Sequence, residues 1–121
     1  MRGVTSTAWH NIPAGRNGEI TRAAFQFAIS VYRLHERRLE FRFGIIAEIQ
    51  ELFRRSNYVA DRYHLKFLAW YIIDLDERRE AKFPVYAELY FTMPTGHPWM
   101  DPAAVIPGTL RFLPFTFGND V

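Results

Sequence analysis

Two runs near the middle of the chain, 64–74 and 83–93, alternate between two sets of side chains that are both largely apolar. If each run is a strand, successive side chains point to opposite faces of a sheet. A sheet needs only one apolar face to join a core, so the second face must be covered by something else. That second face carries Leu68, Trp70, Ile72, Tyr86 and Tyr90.

The segment before these runs changes its hydrophobic period. From 23 to 34 the odd positions are apolar and the even positions are mixed, which predicts a strand. Residues 38–43 alternate again, so the two runs together predict a β-hairpin. After Gly44 the apolar residues recur at helical spacing in a segment rich in Glu, Gln, Leu and Arg. This change of period predicts a helix over about 45–55.

The sequence predicts that both ends of the chain are extended arms. Residues 1–18 are punctuated by glycine and proline and have Trp9 and Ile12 as their large apolar anchors. Residues 94–121 begin with a loop rich in proline and glycine. A last strand follows over 109–117, and Pro114 interrupts it, which favours an edge position because proline cannot donate to a ladder.

The fold predicted from these elements is a single α+β domain over 1–121. It is mainly an antiparallel sheet in the order β-β-α-β-β-loop-β, with one main helix across a face. A second interpretation stays open, because the apolar residues of 20–34 and 64–75 also fit helical spacing. Short apolar runs do not separate strand from helix by periodicity alone, so a largely helical fold is the alternative.

Composition excludes several classes of protein. The chain has 121 residues, of which 49% are apolar and 17% aromatic, so it is long enough for one core. It has no cysteine, which excludes disulfides, thiol catalysis and thiolate metal sites. It shows neither a signal-type leader nor an apolar run long enough to span a membrane. We therefore expect a soluble protein made in the cytoplasm, compatible with membership of a larger particle.

No motif in the sequence indicates a particular reaction, metal or cofactor. The four histidines lie far apart, and no serine sits in a nucleophile elbow. Asp74 and Asp76 could hold a cation, but Arg78 and Arg79 sit beside them, so a solvated turn is the better interpretation. We expect no catalytic residue, metal or cofactor.

Two classes of ligand are alternatives for this sequence. Trp70, Tyr86, Glu88 and Tyr90 could line an aromatic pocket, in which Glu88 would act as a desolvated acid or base. The simpler interpretation is that Glu88 faces solvent or pairs across the strands with Lys66. Nucleic acid is not expected, because the net charge is only +2 and alternation separates the arginines near 37–42 from the neighbouring phenylalanines.

The functional interpretation therefore depends on the amount of apolar surface that the sheet leaves uncovered. One helix cannot cover both faces of the sheet, and aromatic residues are enriched where proteins meet. We expect a non-enzymatic structural protein that forms a homo-oligomeric ring, tube or shell, of which a virion component is one example. The alternatives are an enzyme or small-molecule binder with the aromatic pocket, and a regulator or inhibitor that binds another protein. The expected interface residues are Leu68, Trp70, Ile72, Tyr86 and Tyr90, together with Trp9 and Trp99 from the arms.

Overall fold

The chain folds as an antiparallel sheet with an α-helix packed on one face, so the expected α+β class is confirmed. The computed structural model describes residues 3–13, 18–35, 39–76, 78–114 and 116–117. Its elements are β1 (Thr5–Ser6), β2 (His10–Asn11), α1 (Glu19–His35), β3 (Leu39–Arg54), β4 (Asn57–Asp76), β5 (Arg79–Pro94), a 3-10 turn (Pro102–Ala104), β6 (Arg111–Phe112) and β7 (Thr116–Phe117).

Three long strands form the centre of the sheet, and short terminal strands line its edges. The order is β1-β3-β4-β5-β6, with β2 also pairing β3 and β7 also pairing β5. Every pair is antiparallel. The N-terminal arm therefore lies along β3, and the C-terminal segment lies along β5. β6 and β7 flank Pro114 at an edge, as the sequence predicted.

The strand predicted over 23–34 is wrong, because Glu19–His35 form the helix α1. Its buried residues fall three or four positions apart and make one stripe that faces the sheet: Ala24, Phe27, Ala28 and Val31. Ser30 lies off this stripe and its hydroxyl donates to the carbonyl of Gln26, one helical turn earlier. The helical alternative that the spacing left open for this segment is the correct one.

The helix predicted over 45–55 is also wrong, because these residues belong to the long strand β3. The register of β3 against β4 shifts between Phe41 and Ile45 and again between Leu52 and Phe53. Between these shifts the pairing is regular, so Ala47 and Ile49 lie on one face of β3 and Leu52 lies on the other. Apolar residues on both faces of a strand give a spacing that imitates that of a helix.

The runs 64–74 and 83–93 are strands, and each extends further than predicted, as β4 and β5. Their odd positions from Tyr63 to Ala69 and from Val85 to Met93 are buried and form the inner face beneath α1. Their even positions form an outer face that is half-buried, except that Tyr86 is exposed. No helix in the described part of the chain has both the length and the apolar character needed to cross a membrane.

Candidate functional site

The outer face carries a histidine held between two carboxylates. Cross-strand pairing sets Glu48 of β3 opposite His64 of β4, and Glu88 lies one diagonal step away on β5. Nδ1 of His64 is 2.8 Å from Oε1 of Glu48, and its Nε2 is 2.8 Å from Oε2 of Glu88. The His64 side chain is only 12% exposed. We call these three residues the clasp, because they tie three strands together.

Aromatic rings cover the clasp. Tyr90 stacks on the His64 ring, with centroids 4.5 Å apart and planes at 14°. Trp9 of the N-terminal arm meets the edges of both rings, at 6.2 Å from His64 and 5.8 Å from Tyr90. The guanidinium of Arg62 lies over Tyr90 at 5.4 Å and over Trp9 at 6.0 Å. The arm therefore covers this part of the outer face.

The geometry of the clasp limits its chemistry. A carboxylate only accepts hydrogen bonds, whereas an imidazolium donates from both ring nitrogens. The cationic form of His64 thus satisfies Glu48 and Glu88 together. Both nitrogens are already engaged by these contacts, so the arrangement is a structural ion cluster rather than a free general base.

A second polar cluster, the turn-end cluster, lies where β4 begins and comprises Tyr58, Asp61, Tyr63 and His97. The Asp61 residue is only 7% exposed and accepts a hydrogen bond from the Tyr58 hydroxyl. Nε2 of His97 is 3.1 Å from Oδ2 of Asp61 and 3.1 Å from the hydroxyl oxygen of Tyr63. Nδ1 of His97 donates to the Pro98 carbonyl at 3.0 Å. These bonds hold the loop after β5 against the sheet.

The carboxylate of Asp61 acts on both tyrosines. Burial raises the pKa of Tyr58 above its ordinary value, and the hydrogen bond to Asp61 and the charge of Asp61 raise it further. Burial likewise raises the pKa of Tyr63, with the Asp61 charge as the second cause. Both phenols therefore remain neutral hydrogen-bond donors across the physiological range.

Sequence reasoning missed the turn-end cluster because its members lie far apart along the chain. His97 stands in a segment that was expected to be only a surface loop, 36 positions after Asp61. One signal could have found it. Asp61 occupies an odd position of β4, so it shares the buried face with Tyr63 and Leu65. A carboxylate at such a position requires partners.

The opposite end of the β4–β5 hairpin exposes apolar side chains on both faces. Ile73, Leu75 and Phe83, on the inner face, are 40%, 58% and 41% exposed, whereas the same face is fully buried further along. On the outer face, Leu68, Trp70 and Ile72 are half-buried and Tyr86 is 38% exposed. We call residues 68–86 the hairpin end.

Charged residues close the hairpin end, as the sequence predicted for this turn. Nε of Arg79 donates to Oδ2 of Asp76 at 2.8 Å, and the Arg78 backbone N–H donates to Oδ1 at 3.0 Å. The backbone bond, followed by the Arg79 side chain, lowers the pKa of Asp76 below its ordinary value. Arginine and backbone donors thus engage the carboxylate that was considered as a cation ligand.

The residues expected at an interface do not form one surface. Leu68, Trp70, Ile72 and Tyr86 share the outer face of the hairpin end. Tyr90 and Trp9 lie together over the clasp. Trp99 lies at the turn-end cluster, where its ring meets the ring of Tyr63 at 5.8 Å. Of the residues expected to line a pocket, Glu88 binds His64, whose ring stacks on Tyr90, while Trp70 and Tyr86 lie on the same outer face toward the hairpin end.

Among the residues that the structure describes, no group of three or more His, Asp or Glu side chains is arranged to hold a metal ion. Comparisons of the chain with protein-family models, with curated proteins and with solved structures give no match.

Proposed function

We propose that this chain is a non-enzymatic protein that self-assembles through its hairpin end into a homo-oligomer, such as a ring, tube or shell. The observation that carries the proposal is the exposure of large apolar side chains on both faces of one hairpin. Ile73, Leu75 and Phe83 cluster where the turn brings the two strands together. Contiguous apolar surface of this kind is typical of a protein-binding site.

The charges beside this apolar surface favour a second copy as the occupant. The sequence of the turn has four carboxylates (Asp74, Asp76, Glu77, Glu80) and three cations (Arg78, Arg79, Lys82). A two-fold interface places a patch against itself, so the patch must be complementary to itself in shape and charge. A turn with both signs meets this requirement, because acidic groups of one copy can face basic groups of the other.

The edge of β5 supports the same mode of assembly. In the described part of the chain, β6 and β7 pair with β5 only between Val85 and Tyr90. No strand among the described residues pairs with 79–84 of β5 on the side away from β4. Strand addition from a second copy would pair with this segment and bury Phe83 at the same time.

Hydrogen exchange at increasing protein concentration tests this proposal. Amides of residues 79–84 should gain protection from low to high micromolar concentration, because assembly buries them, while amides of 95–100 should not change. Phe83→Lys should abolish the gain, and Trp99→Lys, a matched aromatic-to-lysine control in the loop after β5, should retain it. Protection of residues 79–84 that is independent of concentration would refute assembly through this surface.

A second candidate function, a regulator or inhibitor of another protein, draws on the opposite end of the sheet. Three segments meet there: β1 pairs with the end of β3, a two-residue turn joins β3 to β4, and Thr95 bonds to the start of β4. The hydroxyl of Thr95 donates to the Tyr58 carbonyl at 3.0 Å. The side chains of Tyr58 and Trp99 lie at this end and are 38% and 40% exposed, although the Tyr58 hydroxyl reaches inward to Asp61.

The two candidates make different predictions for the same variants. If the turn end binds another protein, the immobilised chain should retain a distinct protein from an extract, and Trp99→Ala should lose it. Phe83→Lys should leave that binding unchanged, because it alters only the hairpin end. Recovery of nothing but the chain itself, or equal recovery with Trp99→Ala, would exclude the regulatory function at this surface.

A further inference from the structure

We propose that the clasp is a proton-dependent switch that controls the docking of the N-terminal arm on the sheet. When His64 carries its second proton, the arm is held through Trp9, and when His64 releases that proton the arm loosens. The proposal is carried by the position of one histidine between two carboxylates, directly beneath the tryptophan of the arm.

The two protonation states of His64 differ in how many hydrogen bonds they make. The imidazolium donates one bond to Glu48 and one to Glu88, both at 2.8 Å. A neutral imidazole has one N–H and one lone pair. After the proton leaves, one carboxylate therefore faces a lone pair at hydrogen-bond distance, and that contact becomes repulsive. The half-buried carboxylates cannot both be fully rehydrated in place.

The charged groups around His64 explain how the loss of this hydrogen bond would affect the arm. Glu48 approaches from β3, and Glu88 and Tyr90 approach from β5, while Arg62 and Lys66 lie two positions before and after His64 on the same face of β4. Lys66 lies over the Tyr86 ring at 5.1 Å. Arg62 lies over the rings of Tyr90 and Trp9. Glu88 lies directly opposite Lys66, whereas Glu48 lies one diagonal step from Arg62. When Glu48 is the carboxylate that His64 releases, it should attract Arg62 and draw it away from Trp9.

The arm is otherwise held by contacts that can open locally. Its backbone bonds near the clasp run from Thr7 N–H to the Glu51 carbonyl at 3.0 Å and from Ile12 N–H to the Ala47 carbonyl at 2.9 Å. β1 and β2 have only two residues each. Short edge segments of this kind open at low cost. Ile12 also packs against the core, and Gln50 Nε2 donates to the Thr7 carbonyl at 2.9 Å. Loss of the Trp9 contacts should therefore increase how often both amides open to solvent.

Amide exchange of the arm, compared between about pH 5 and about pH 8.5, tests the switch. The protection factors of Thr7 and Ile12 should fall about tenfold at the higher pH, as expected for one lost charge-assisted bond. The amide of Ile106, which donates to the Thr92 carbonyl at 2.9 Å on the opposite edge, is the internal control and should not change. Repeating the comparison with His97→Gln removes any contribution from the turn-end cluster.

Glu88→Gln is the variant that tests the switch most directly. The glutamine amide can donate to the lone pair of neutral His64 while Glu48 accepts from the other nitrogen, so the arm should stay docked at both pH values. Glu80→Gln, a glutamate of the same strand at the exposed turn, should behave as the wild type. Equal protection of Ile12 at both pH values in the wild type, or a wild-type pH dependence in Glu88→Gln, would overturn the proposal.

Discussion

The ring of Phe27 on α1 stacks on the ring of Phe91 on β5, with centroids 4.3 Å apart and planes 29° apart. Tyr63 of the neighbouring strand stacks on the same Phe91 ring at 5.2 Å. Three aromatic rings from three elements thus lie in one buried group, which fixes the helix on the inner face. This contact joins the helix to the strands that carry both polar clusters.

Replacing Phe27 should therefore destabilise the whole fold. Phe27→Ala removes a ring that is 2% exposed and leaves a cavity against Phe91, so the free energy of unfolding should fall by about 3–5 kcal/mol. Urea unfolding measures the change. Gln26→Ala, at an exposed position of the same helix, is the control and should change stability by less than about 0.5 kcal/mol. A loss below about 1 kcal/mol for Phe27→Ala would contradict the packing described here.

Glycine at the β3–β4 turn should stabilise the protein. Arg55 and Ser56 form a two-residue turn with φ values of 51° and 70°, a conformation that costs residues with a Cβ about 1–2 kcal/mol each. Ser56→Gly removes this strain at some entropic cost, so thermal unfolding should show a gain of about 0.5–1 kcal/mol. The same substitution within α1, Ser30→Gly, should instead destabilise by about 0.5 kcal/mol. A loss of stability in Ser56→Gly would show that the turn is not strained.

Stability should decline at alkaline pH because of Tyr58 and Tyr63. Folding raises the pKa of both phenols above the ordinary value of about 10. Below that value both states keep the protons and the full stability is present. Above it the unfolded chain releases protons that the folded chain retains, so the free energy of unfolding falls as pH rises.

Denaturant unfolding between about pH 9 and about pH 12 measures this decline. The double variant Tyr58→Phe/Tyr63→Phe carries no phenol at these positions and should show a shallower decline than the wild type over this range. Identical slopes in the two proteins would contradict the raised pKa values of Tyr58 and Tyr63.

The sheet-dominated class and the two central strands could be predicted from the sequence, since alternation in β4 and β5 is regular over many residues. The helix could not be placed correctly. The segment contains Phe27, Ile29 and Val31, residue types that favour a strand. It forms a helix because that conformation buries one stripe of its side chains against the sheet. In β3, apolar residues lie on both faces, with Ala47 and Ile49 on one and Leu52 on the other, so the strand lacks the one-sided alternation by which it could be recognised.

The clasp could not be predicted either, because it includes a residue of β3, the strand that the sequence did not reveal. Alternation correctly places His64 and Glu88 on the outer face, and the sequence even offered Lys66 as a cross-strand partner of Glu88. Glu48, however, was assigned to the incorrect helix, so its approach to His64 could not be foreseen. A cluster built from three strands becomes visible only when the pairing register of all three is known.

The native mass of the chain in solution is the most direct test of assembly through the hairpin end. One chain has a mass of 14.3 kDa. Light scattering at high micromolar concentration should give a whole-number multiple of this mass. Leu75→Lys and Phe83→Lys should return it to 14.3 kDa, because each places a charge in the proposed contact. A wild-type mass of 14.3 kDa at every concentration would contradict the proposal.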